Sequence, residues 1–494
     1  MASFCKIVKR FYRANKPIKP NTSWPGYRNV LDITNPATLK KVGELQEDTI
    51  PDIERKLEYL HTGLKRWKLT HVDQRKAALE KFADALVTRK TTLAKILTSE
   101  TGKPISQARS EIAATVDRIH YFVENCEKVI GTQTVLESSR LKEKVQYEPL
   151  GVIANISAWN YPYFLSANVF APALLTGNCV LYKPSENASL TGQEITDMLH
   201  NAGIPEDVFV ISSGGADTGS RIAGNKDIGG LFFTGSYDTG LEIAKKASPN
   251  LVKLQLELGG KDAAYIRHDV PNILATATTV ADGAFYNAGQ SCCSIRRIYV
   301  NKRVYVPFME ALKKISHSYR IGDPTLEDTY IGPLCTKKQV EKIGKLLAEA
   351  INRGAQVDVG GDTTNSTAHK VGYFVPPTIL TDVDHQMSIM RKETFGPVVG
   401  VMCVEDDDEA TTLMSDTEYG LTASVFSKHL EDAEAILNEL KVGTGYWNCC
   451  DRVSPRVPWS GRKRSGVGST MGIDGLRAFV QPKGFFCHEP MAAI

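Results

Sequence analysis

Short, largely apolar runs alternate with helix-length stretches through the middle of this chain. Residues 152–156, 179–182, 208–211 and 231–233 read as strands, and 162–175, 190–202 and 241–247 as helices. Strands that are apolar at nearly every position are buried on both faces. Their alternation with helices predicts a doubly wound, parallel α/β sheet. Residues 151–182 carry no charge, and a membrane span needs about 20 mostly apolar residues. Here Asn155, Asn160, Pro162, Asn168, Pro172, Gly177 and Asn178 interrupt the stretch, so a buried strand–helix–strand unit is expected and membrane insertion is not.

A second series is expected to start at 253–258. It continues through a helix at 270–286, a strand at 298–300, a helix at 304–318, strands at 398–404 and 422–426, and a helix at 430–440. The long helical stretch 53–128 belongs with the first unit. Residues 141–147 alternate like a strand, and with the C-terminal tail they fit neither layer. A projecting hairpin meeting the C-terminal strand of another subunit would account for both. The division expected is a basic extension over 1–28, a cofactor domain over 29–128 and 150–254, oligomerisation strands at 129–149 and 475–494, and a catalytic domain over 255–474.

At 494 residues the chain exceeds what one core serves. A net charge of +3, with no basic block interleaved with aromatics, excludes nucleic acid as the expected partner. The ten cysteines show no Cys-x-x-Cys and the histidines no His-x-x-x-His. No metal site is expected, and free thiols fit a reduced intracellular compartment, not secretion. The first 31 residues hold no Asp or Glu but seven Lys and Arg, with Phe4, Ile7, Val8 and Phe11 on one helical face. Two readings stand: a mitochondrial presequence, or a solvated basic tail on a cytoplasmic protein.

Two residues set in Gly-containing frames carry the chemistry. Glu257 lies in Leu256-Glu257-Leu258-Gly259-Gly260-Lys261, and Cys292 in Asn287-Ala288-Gly289-Gln290-Ser291-Cys292. A thiolate attacks electrophilic carbon, and a carboxylate can activate the water that later clears the adduct. Phe233-Thr234-Gly235-Ser236-Tyr237-Asp238-Thr239-Gly240 sits between a strand and a helix, where amides can face a phosphate or form a plain tight turn. Lys183-Pro184-Ser185-Glu186 closes a strand; its carboxylate can hold a ribose or simply pair with the lysine. Asn160 is either an oxyanion donor or a turn residue.

These segments, in this order, resemble the aldehyde dehydrogenase superfamily from about Asn35 to Lys483. The resemblance is carried by Asn35-Pro36-Ala37-Thr38, Trp159-Asn160-Tyr161-Pro162, Lys183-Pro184-Ser185-Glu186, Phe233-Thr234-Gly235-Ser236 and the Glu257 and Cys292 motifs. Glu393-Thr394-Phe395-Gly396-Pro397, Tyr419-Gly420-Leu421 and the run from Pro458 to Gly466 complete it. The resemblance implies a Rossmann-type cofactor domain, an α/β catalytic domain and a small oligomerisation hairpin in a homodimer or homotetramer. It implies NAD-dependent oxidation of an aldehyde to a carboxylic acid, with Cys292 as nucleophile, Glu257 as general base and Asn160 in the oxyanion hole. Lys183 and Glu186 would hold the adenosine ribose, and Trp159 and Ser236 would lie by the pyrophosphate, which the loop glycines Gly235 and Gly240 would let backbone amides approach. Thr234, Glu393 and Phe395 would flank the nicotinamide end. Glu186 disfavours the 2′-phosphate of NADP, while Lys183 leaves some tolerance.

Cys293 is the rival thiol, expected in a packing or oxidation role. Thr470 stands where the family often has a Glu, which puts a proton relay there in doubt. Tyr161, Tyr163 and Trp459 are expected as aromatic walls of the substrate site, and Asn168 replaces a Trp that often lines an ammonium cage. Arg452 and Arg456 either grip a substrate carboxylate or bond local backbone.

Overall fold

The computed structural model describes residues 29–362 and 371–488. The basic N-terminal extension and the last residues of the tail lie outside them. Two parallel sheets form the body. In the first, the strands run Phe209–Ile211, Cys179–Lys183, Val152–Ile156, Gly230–Thr234, Lys253–Glu257 and, antiparallel at the edge, Gly466–Val467. The order reverses between Val152–Ile156 and Gly230–Thr234, so the loops leaving these two strands diverge and open a crevice at their C-terminal ends. Every residue of Val152–Ile156 and Cys179–Lys183 is buried, as largely apolar strands between helical layers require.

The second sheet has seven strands: Gln356–Val359, Thr378–Thr381, Val398–Val404, Ile295–Asn301, Asp262–Ile266, Thr422–Phe426 and Thr444–Trp447. Only Gln356–Val359 runs antiparallel. Each sheet has its own apolar core, and Cys293, Leu421 and Trp459 extend the first core towards the second sheet.

The structure differs from the sequence expectation in three places. Residues 253–258 do not start the second series: Lys253–Glu257 pairs in parallel with Gly230–Thr234 and completes the first sheet. The second begins at Asp262–Ile266, after the chain crosses at Leu258-Gly259-Gly260-Lys261. The break is hidden in the sequence because only Leu258-Gly259-Gly260-Lys261 separates the two strands, and nothing in that short link says which sheet each strand joins. Secondly, the C-terminal strand Val480–His488 pairs antiparallel with Leu141–Pro149 of the same chain, not of another subunit. With Gln133–Glu137 these form a three-stranded sheet. The helix expected at 241–247 starts earlier, as Tyr237–Ala247, capped by Ser236. Among the described residues, no helix is long and apolar enough to cross a membrane.

Candidate active site

The helix Ile273–Phe285 ends in a loop whose next residues are left-handed: Asn287 at φ 54°, Ala288 at φ 52° and Gly289 at φ 66°. Such angles cost an Asn or Ala of order 1 kcal/mol each and persist only where surroundings enforce them. Here Gln107 Oε1 accepts from Asn287 N (3.0 Å), and Gln290 Nε2 donates to Asn287 O (3.1 Å). The Arg296 guanidinium donates to the carbonyls of Gly289 (2.5 Å), Ser291 (2.9 Å) and Gly396 (2.9 Å). A Cβ on Gly289 would lie 2.4 Å from the Gly396 oxygen, so glycine is required. The loop delivers Cys292, half-buried, to the wall of a cavity of about 470 Å³.

Cys293 also reaches that wall but is 2 % exposed. Its thiol donates to Asp451 Oδ1 (2.9 Å), which also accepts from Ser291 Oγ (2.7 Å). A hydrogen bond with Cys292, burial and the Asp451 carboxylate push the Cys293 thiol well above the usual range, so it stays protonated. Asp451 is itself raised to about 6 by burial, against the two donors it accepts from.

Glu257 ends its strand on the wall of the same cavity. Burial raises its carboxyl to about 7, opposed by hydrogen bonds from Thr470, Trp459 and Gln255. Thr470 Oγ1 donates at 2.7 Å and Gln255 Nε2 at 3.1 Å. Thr470, noted in the sequence only as a departure, is therefore a direct partner of Glu257. No local signal could link residues 213 positions apart.

Asn160 packs behind the Cys292 loop and is absent from the cavity wall. Its Nδ2 donates to Gln290 O (3.0 Å), and its own carbonyl accepts from Lys103 Nζ (2.6 Å) and Asn287 Nδ2 (3.2 Å). Tyr161, Phe164, Tyr286 and Trp459 form the aromatic part of the wall, with Asn168, Arg118 and Arg452. Tyr163 is instead 1 % exposed in the first core, because its position on the helix Pro162–Leu175 faces inward. Arg456 does not line the cavity.

A second cavity, of about 560 Å³, opens at the crevice where the strand order reverses. Trp159, Lys183, Glu186, Thr234, Gly235 and Ser236 line it, as do the unanticipated Gly215, Ser220 and Lys246. Lys183 is 4 % exposed, donates to Pro184 O (3.2 Å) and lies 4.0 Å from Glu186; burial lowers its pKa. The glycines of the 234–240 loop divide. Gly235 borders the cavity, but Gly240 does not: a Cβ there would meet Leu258 at 2.5 Å, so its part is helix-on-strand packing. Glu393 and Phe395 also lie outside the lining. Gly260 N donates to Glu393 Oε1 (3.3 Å), and the Phe395 ring meets Trp159 edge-on at 5.7 Å. Thr234 borders both cavities.

The model of the aldehyde dehydrogenase family matches residues 24–485. Aminoaldehyde dehydrogenase 2 of Solanum lycopersicum is 33% identical over 465 residues, covering 93% of this chain and 92% of that protein. Chloroplastic betaine aldehyde dehydrogenase of Beta vulgaris is 33% identical over 468 residues, 93% of each. The crystal structure of betaine aldehyde dehydrogenase from Staphylococcus aureus in complex with NAD+ superposes with a TM-score of 0.90 at 30% identity, covering 94% of this chain and 93% of that one.

Proposed function

The chain belongs to the aldehyde dehydrogenase family, and from that premise we propose how its residues oxidise an aldehyde to a carboxylic acid with NAD. One observation carries the reading. A half-buried thiol and a buried carboxyl with a pKa of about 7 share one cavity, and Thr234 borders both that cavity and a cleft of dinucleotide character.

The 560 Å³ cleft fits NAD by its own features. It lies at a topological switch point, beside the N-terminus of the helix Tyr237–Ala247, where backbone N–H groups suit a pyrophosphate. Exposed Glu186 suits ribose hydroxyls and repels a 2′-phosphate, and the Lys183 ammonium is already engaged with Pro184 O. NAD, when bound, supplies the acceptor for the hydride that leaves the substrate carbon. The relative from Staphylococcus aureus holds NAD+.

Cys292 attacks the aldehyde carbon as thiolate. The backbone N–H of Cys292 donates to the oxyanion; Asn160, which lies behind the loop with one amide N–H on Gln290 O, would add its second N–H only by turning towards the cavity. After oxidation the acyl group is a thioester on Cys292. Glu257 then removes a proton from the attacking water, and a pKa of about 7 matches this task near neutral pH. A base for hydrolysis opposes transfer of the acyl group to a thiol cofactor. Glu393 and Phe395, which contact Gly260 and Trp159, would support the nicotinamide end of the cofactor. In Glu257→Gln, rapid-mixing kinetics are expected to show about one NADH per active site, then a stall. Full steady turnover in that variant would reassign the base.

Two coarser readings accompany this one. Exposed Val135, Leu136 and Phe486 on the three-stranded sheet support a homodimer or homotetramer. The acid-free first 31 residues support the cytoplasm or the mitochondrial matrix.

A further inference from the structure

The wall of the substrate cavity contains a buried cation that the reaction above does not use. Arg118, on the helix Ile105–Asn125, is 4 % exposed and lines the cavity. Its Nη1 donates to Ala114 O (2.8 Å) and its Nη2 to Val453 O (3.2 Å), while Nε has no partner. A guanidinium offers five N–H donors, so most of this one's capacity is unspent. Among the described residues no carboxylate forms an ion pair with it. Glu111, two turns earlier on the same helix, is paired with Lys103, so the buried trio carries one net positive charge. An uncompensated buried cation is costly; burial indeed lowers the Arg118 pKa, to about 10, although Glu111 and Asp117 oppose the shift.

The aromatic surface beside it is occupied from within. The rings of Tyr161 and Phe164 stack at 4.7 Å. Lys103 Nζ sits 3.8 Å from the centre of the Tyr161 ring, and the Arg118 guanidinium 4.3 Å from that of Phe164. The order is cation, ring, ring, cation. A substrate ammonium seeking these faces would find both seats taken by like charge. Asn168 follows Phe164 by one helical turn and therefore shares its face. It lines the cavity, is 5 % exposed, and its Oδ1 has no hydrogen-bond partner. The two ends of an amide exchange by rotation, so it can offer its NH₂.

We propose that Arg118 and Asn168 form a tail subsite that selects aldehydes bearing a carboxylate at the end remote from the carbonyl, the half-aldehydes of dicarboxylic acids. The proposal rests on the Cys292–Glu257 reading of this cavity. A carboxylate accepts from the spare N–H groups of Arg118 and from the Asn168 amide, and neutralises the charge left by the Lys103–Glu111 pair. Exposed Arg452, also on the wall, adds positive charge. Four carboxylates line the same cavity, and each already has partners: Asp282 accepts from Tyr330 Oη, Asp451 from Ser291 and Cys293, Glu257 from Thr470 and Gln255, and Glu111 pairs with Lys103. This tail is opposite in sign to that of a quaternary ammonium or amino aldehyde.

The test compares kcat/KM with NAD for 4-oxobutanoate, its neutral isostere 4-methylpentanal, and 4-aminobutanal. The intact enzyme is expected to favour 4-oxobutanoate over both by at least about tenfold. Arg118→Met is expected to lower kcat/KM for 4-oxobutanoate by about 30-fold, mainly through KM, while 4-methylpentanal stays within about threefold; Arg118→Lys restores part of the loss. Asn168→Leu leaves the backbone contacts of Arg118 intact, and is expected to give a smaller loss of the same selectivity. It decides the matter if Arg118→Met does not fold. Equal use of the three aldehydes, preference for 4-aminobutanal, or equal losses on charged and neutral substrates in the folded variants would overturn the subsite. If 4-methylpentanal is oxidised normally, the Cys292–Glu257 chemistry survives that outcome. If no aldehyde is oxidised at all, the chemistry fails first and the subsite with it.

Discussion

Glu257 owes its basicity to burial, and the three donors around it limit how far burial raises the pKa. Thr470 stabilises the charged form, so Thr470→Val is expected to raise the Glu257 pKa further. Where hydrolysis of the thioester limits kcat, the acid limb of the pH profile should rise through about 7 in the intact enzyme and shift to higher pH in the variant. An unmoved limb would mean that Glu257 is not the titrating group. The adjacent thiols differ as sharply. Iodoacetamide at neutral pH is expected to label Cys292 and spare Cys293. Cys292→Ser should lower turnover by more than about 10³-fold, while Cys293→Ser keeps most of it. Cys292 and Glu257 were legible because each sits in a Gly-rich frame of fixed spacing. The bond from Thr470 was not, since a side chain 213 positions away is brought there only by folding.

At the scale of elements, the cofactor-side strands and helices were readable from apolar runs because burial on both faces leaves no ambiguity. The join between the sheets was not. Residues 253–266 hold two strands of different sheets, and only hydrogen-bonded neighbours distinguish them. Asp262 heads the second of these strands and ties it to the next: Thr422 Oγ1 donates at 2.6 Å and Thr422 N at 3.2 Å. Burial raises its carboxyl from 3.8 to about 7. The folded chain thus holds this proton more tightly than the unfolded chain. The resulting stabilisation is complete below about pH 4 and is lost as pH rises through about 7. Asp262→Asn removes this dependence, so the fall in melting temperature between pH 5 and pH 8 should be smaller in the variant. An unchanged fall would show that Asp262 titrates normally.

For the molecule as a whole, the order of motifs disclosed two α/β layers and a separate small sheet, but not which chain pairs with which. An antiparallel match such as Val480 with Pro149 satisfies the same backbone groups whether the strand comes from its own chain or a second copy. The exposed side chains of that sheet remain the candidate contact between copies, with Phe486 68% and Val135 66% accessible. Phe486→Glu should reduce the mass measured by light scattering without lowering the melting of the monomer. An unaltered mass would place the contact elsewhere.

Glu257 closes a strand of the six-stranded sheet, whereas Cys292 leads into Ile295–Asn301 of the seven-stranded one. Nucleophile and base therefore ride on separate platforms, joined at Leu258-Gly259-Gly260-Lys261. Small rocking of one platform against the other would change the gap that water must bridge while leaving the thiol's own loop untouched. A covalent clamp that froze the platforms slightly apart would let the sulfur be loaded and keep it from being unloaded.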